Sequence, residues 1–160
     1  MKMPVLVYVI AIGLTLSSGT CLAHGEHGHN DEVFGKPGSP AAVTRSIKVD
    51  MNDNMRFSPA SIAVKQGETI HFIIKNAGNL THEFVLGTAS DLKQHNNMMK
   101  LHPNMQHSDP NMLSLAGGQS GELVWQFTKA GKFDFACLQP GHYEAGMKGN
   151  VIVAKGRSSQ

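Results

Sequence analysis

Cys137, His142 and Met147 fall at the spacing C-x4-H-x4-M within Phe135-Ala136-Cys137-Leu138-Gln139-Pro140-Gly141-His142-Tyr143-Glu144-Ala145-Gly146-Met147. A thiolate, an imidazole and a thioether on one segment supply most of a trigonal copper site with a weak axial sulfur. The missing donor should be a second imidazole from elsewhere. His82 is the best placed, because Asn79-Leu80-Thr81 before it form a turn and Phe84 and Leu86 after it suit a strand. In such a set the two histidines bind as neutral imidazoles, each needing its other ring nitrogen oriented by a partner or water. Other chemistries fit less well. Cys137 alone, beside Phe133 and Phe135, would suit a buried core thiol. A Cys–His nucleophile pair needs an orienting third group and an oxyanion loop, and neither is evident. Zinc gains little from a thioether. No substrate pocket is legible, so the chain is expected not to be an enzyme.

Further soft and imidazole donors lie outside this set. The chain has nine His and nine Met, a composition that points to a transition metal and to copper in particular. His24, His27 and His29 open the segment after the leader, where a free amine and an imidazole could chelate Cu(II) together. His95, Met98, Met99, His102, Met105 and His107 crowd a later stretch that ends with Met112. On a helix His95, Met98, Met99 and His102 share one face, and thioethers with imidazoles suit Cu(I). The bland alternative is a packing flap over the fold. His71 sits on the outer side of a strand alternation. Met51 and Met55 suit packing, or with Asn52 and Asp53 could flank a weak metal site.

The elements that must position these residues are short strands. Val43 to Met51 can be extended, and Ser61 to Val64 is short and closed by Gln66-Gly67. Thr69 to Lys75 alternates with Ile70, Phe72 and Ile74 inward. Thr81 to Leu86, Glu122 to Thr128 (Leu123, Trp125 and Phe127 on one face), Lys132 to Cys137 and Gly149 to Ala154 complete about seven strands. The fold class expected is all-β, an antiparallel Greek-key β-sandwich with a short helical Met/His-rich insert over 88–119. Ser90-Asp91 should cap a helix running to about Leu101, and Pro103 and Pro110 exclude a longer one.

In these residues the chain resembles the cupredoxins, the plastocyanin and azurin type of blue or green copper protein. In that family one His follows a turn before a middle strand, and the Cys, the second His and the axial Met come from the final loop. The resemblance covers 43–156 and implies His82, Cys137, His142 and Met147 as ligands of one type 1 copper. The spacing in the final loop differs from plastocyanin and azurin and is similar to that of multicopper oxidases. No His-Cys-His pattern accompanies it, so their trinuclear centre is not implied. The His-rich start and Met/His-rich insert are most similar to exported cupredoxins of copper tolerance.

Lys2, the apolar run from Val5 to Ile12 and the small residues ending at Cys21-Leu22-Ala23 have the order of a secretory signal peptide, with a cut before His24. The run is too short to span a bilayer, which takes about 20 residues. The expected organisation is a signal peptide over 1–23, a mobile His-rich arm over 24–42, a cupredoxin domain over 43–156 and a short tail over 157–160. Export to the periplasm leaves Cys137 as the sole thiol, without an internal disulfide. Loss of Lys2 takes the net charge from +2 to +1, which argues against nucleic acid, and nothing holds the cleaved chain to a membrane. The expected partners are copper ions and a periplasmic redox or copper-transfer protein. The expected role is copper tolerance through binding and handling Cu(I) and Cu(II), with one-electron transfer to a redox partner as the alternative.

Overall fold

The computed structural model describes residues 34–103, 105, 108–110 and 111–156. Among these residues ten strands form two five-stranded sheets. In chain order they are β1 (Gly35–Pro37), β2 (Arg45–Asn52), β3 (Arg56–Ser58), β4 (Ser61–Lys65), β5 (Thr69–Asn76), β6 (His82–Gly87), β7 (Met112–Leu115), β8 (Ser120–Phe127), β9 (Gly131–Ala136) and β10 (Lys148–Ala154). One sheet has the order β1-β8-β5-β2-β3 and the other β4-β10-β9-β6-β7. The α-helix α1 (Ala89–Leu101) lies between β6 and β7.

The β-sandwich stands as expected, and its sheets are mixed rather than purely antiparallel. β2 pairs with β5, and β4 with β10, in parallel. The chain passes from β2 through β3 into the opposite sheet as β4, then returns as β5 in the direction of β2. Alternation of apolar residues fixes which face of a strand is buried; it carries no information about the direction of the neighbour. The inward faces are those the alternation gives: Ile70, Phe72 and Ile74 of β5 and Trp125 and Phe127 of β8 are fully buried. Phe133, Phe135 and Cys137 face them from the second sheet within the same core.

The segment expected as a free arm over 24–42 is ordered structure from Phe34 on. Phe34 is buried and stacks on Trp125 with ring centroids 5.1 Å apart. β1 then pairs with Trp125 to Phe127 along the sheet edge. Gly and Pro gave this stretch the look of a linker, yet both suit an edge strand: Pro37 needs no inward N–H there, and Gly35 lets the backbone close on Trp125.

The insert also differs from its expectation. Thr88, not Ser90-Asp91, caps α1: its hydroxyl oxygen accepts the Asp91 N–H at 3.2 Å and its hydroxyl donates to the Asp91 carboxylate at 2.7 Å. Leu92 and Met99 pack with Val85, Met112, Ala136 and Leu138 in a second, smaller core. This core explains why all six residues of β6 are buried: the sandwich covers one face of the strand and α1 the other. β7 belongs to the insert and extends the sheet through β6, so the insert completes the fold.

Candidate metal centre

Two antiparallel neighbours, β9 and β10, bracket the segment that carries three of the expected ligands. Lys148 stands opposite Ala136, which places Cys137 and Met147 across from one another at the mouth of the pair. The Cys137 N–H donates to the Met147 carbonyl at 3.1 Å, and the Met147 N–H to the His142 carbonyl at 3.0 Å. Gly141 and Gly146 turn the loop with φ of 86° and 92°, a backbone region that penalises a side chain. Arg56 secures the far side, donating to the carbonyls of Met55 at 2.8 Å and Ala145 at 3.0 Å.

His82 enters from the first residue of β6. Its Nδ1 lies 3.2 Å from His142 Nδ1 and 4.0 Å from Cys137 Sγ, and His142 Nδ1 lies 3.3 Å from that sulfur. Among the described residues these three form the one group of three or more His, Cys, Asp or Glu donors within 4.8 Å of one another. A trigonal metal with bonds of about 2.0–2.3 Å sets its donors roughly 3.5 Å apart, so the donors fit a single ion. Met147, fully buried, belongs to the same core as Cys137. His82 and Cys137 are fully buried and His142 is partly exposed, so the imidazole of His142 is the edge of the site that meets solvent.

The surroundings favour the neutral forms of Cys137 and His142. Burial pushes the Cys137 thiol up to about 12, against the opposing pull of the Glu83 and Gln139 backbone N–H groups. Burial, reinforced by the neighbouring His82 ring, lowers the pKa of His142. The Glu83 N–H donates to Cys137 Sγ at 3.3 Å, and the Gln139 amide donates to the buried Glu83 carboxylate at 2.7 Å. These bonds tie the strand of His82 to the loop of Cys137.

Among the described residues no second cluster of His, Cys, Asp or Glu donors comes together. The face drawn through His95, Met98, Met99 and His102 divides: Met99 is 3% exposed in the small core, whereas Met98 is 48% exposed. His102 closes the helix and, with Leu101, Pro103 and Met105, lines a surface cavity of about 440 Å³. His24, His27, His29 and His107 lie outside the described residues. Met51 is core and Met55 packs against it. Asp53 instead accepts the N–H groups of Asn79 at 2.8 Å and Leu80 at 3.2 Å and lies 3.0 Å from His82 Nε2. Sequence reasoning placed Asp53 beside a weak metal site with Met51 and Met55 and missed its contact with His82 and the Glu83–Gln139 brace. The one signal available for Asp53 was a turn-forming Asp-Asn pair, which says nothing of the partner.

A family model described as copper binding proteins, plastocyanin/azurin family, matches residues 43–154. The chain belongs to the plastocyanin/azurin family of copper-binding proteins. A relative from Rubrivivax gelatinosus, "Copper-resistant cuproprotein CopI", is 54% identical over 130 residues, covering 81% of this chain and 79% of that protein. A protein of the same name from Pseudomonas aeruginosa is 37% identical, covering 94% of this chain and 96% of its own length. The reduced auracyanin of Roseiflexus castenholzii shares the cupredoxin fold, with a TM-score of 0.61 and 22% identity over 70% of this chain and 98% of that one. Within this plastocyanin/azurin-family chain no helix of the described residues is long and apolar enough to cross a membrane.

Proposed function

We propose that His82, Cys137, His142 and Met147 hold one copper as a type 1 centre, and that the chain handles Cu(I) and Cu(II) in the periplasm to confer copper tolerance. The convergence of Cys137 Sγ with the two Nδ1 atoms carries the reading. Copper bound there supplies a one-electron Cu(II)/Cu(I) couple. The protein's part is to fix the donors: the β9–β10 pair sets Cys137 against Met147, and the Glu83 N–H steadies the sulfur. A donor set held by two strands and a braced loop changes little between oxidation states, which keeps reorganisation small. The relatives named for copper resistance support tolerance as the role. The proposed activity is metal binding and redox, with no reaction on an organic substrate. Its partners are copper ions and a copper-transfer or redox protein.

Copper titration of residues 24–160, followed by visible spectrum and metal count, tests the reading beside Cys137→Ser. One intense thiolate-to-copper band, absent from the variant, is expected. Copper beyond one equivalent, retained by Cys137→Ser, would assign additional binding to the His/Met-rich segments. A count of one, with unchanged growth of a deletion strain under copper stress, would favour the one-electron carrier. No band in the unaltered chain would sink the type 1 centre.

A further inference from the structure

His82 has two ring nitrogens with separate duties. Nδ1 turns towards Cys137 and His142, and Nε2 lies 3.0 Å from Asp53 Oδ1. The imidazole is fully buried and the Asp53 side chain is 34% exposed. The carboxylate is held from a second side, where it accepts the N–H groups of Asn79 and Leu80, two residues that lead into β6. Gly78 leaves room for this approach, since a Cβ there would run into the Asp53 carboxylate. The turn between β2 and β3 and the turn before β6 are therefore pinned together on one side chain. An ionised carboxylate only accepts, so the proton of this bond sits on His82 Nε2, the tautomer in which a neutral imidazole offers Nδ1 to a metal.

We infer that Asp53 is a positioning residue for the copper centre, fixing the His82 tautomer and biasing the site towards Cu(II) over Cu(I). The inference rests on the proposed role of His82 as a ligand. A carboxylate on the far N–H of a ligating imidazole orients the ring and raises its basicity, and loss of such partners weakens metal binding about 10–100-fold. The added electron density stabilises the more highly charged ion more. Asp53 thus sets the balance between oxidation states without touching the metal.

The test uses the full chain loaded with copper, comparing Asp53→Asn and Asp53→Glu with the unaltered protein. Asp53→Asn keeps an oxygen acceptor and removes the charge. It should retain the visible band while shifting the Cu(I)-to-Cu(II) affinity ratio about tenfold towards Cu(I), a rise in potential of about 59 mV for a one-electron couple. Asp53→Glu should shift it less. Nitrogen-15 NMR of the unaltered apo chain should find the His82 proton on Nε2, a readout that needs neither variant to fold. A proton on Nδ1, or an Asp53→Asn protein that keeps both band and potential, would overturn the role of Asp53. An unaltered chain without the band would overturn the centre and this role together.

Discussion

At the scale of single residues, the proposed centre requires Cys137 to exchange a proton for copper. With its pKa pushed up to about 12, the buried thiol carries its proton at neutral pH until copper displaces it. His142 holds none to release there, because burial lowers its pKa. Cu(II) titration in weak buffer at pH 7.5, followed with an indicator dye, should therefore release about one proton per site from Cys137, and Cys137→Ser should release none. For the same reason apparent affinity should rise about tenfold for each pH unit while the thiol remains the group that must ionise. The chemical types at this scale were legible in the sequence, because Cys137, His142 and Met147 are neighbours along the chain. Asp53 was not, since its contact with His82 joins two turns that only the folded sheets bring together.

At the scale of elements, α1 shows how periodicity misleads. Helical spacing places Met98 and Met99 side by side, yet Met99 is packed under the helix and Met98 faces solvent. Met99→Ala should cost about 2–4 kcal/mol in urea unfolding of the apo chain. Met98→Ala should stay within about 0.5 kcal/mol. Equal effects would mean that the helix does not seat on β6 and β9 as described. The same helix reaches the metal loop directly: Asn96 donates to the Glu144 carboxylate at 2.8 Å, and Lys100 pairs with it at 2.5 Å. Strand faces were legible from alternation. The parallel pairings and β1 were not, because direction leaves no trace in hydrophobicity and an edge strand tolerates the composition of a linker.

At the scale of the whole molecule, the site spans the sheet that holds it. His82 belongs to β6, Cys137 and Met147 flank the β9–β10 pair, and Asp53 reaches across from the other sheet. A metal that bridges these elements stabilises the fold as a unit. Free copper at a thousandfold excess over Kd should add about 4.1 kcal/mol to unfolding stability. Calorimetry should show a raised Tm for the unaltered chain and a much smaller rise for Cys137→Ser. An equal rise in both would place the stabilising metal elsewhere. The family model covers the sandwich from residue 43 on, and the edge strand β1 lies before it.

The two parallel pairings also set a clock for assembly. β10 reaches back to β4, with Asn150 opposite Ser61, and β5 must meet β2 across two intervening strands. Topologies dominated by such distant contacts fold in milliseconds to seconds. Three of the proposed donors lie within one short stretch of chain, whereas His82 arrives only when β6 docks. During synthesis and folding, Cys137 is thus the exposed thiol of a nascent three-donor segment before it becomes the sealed sulfur of the finished protein. Metal captured in that interval would be enclosed by folding, while metal arriving later must enter past His142.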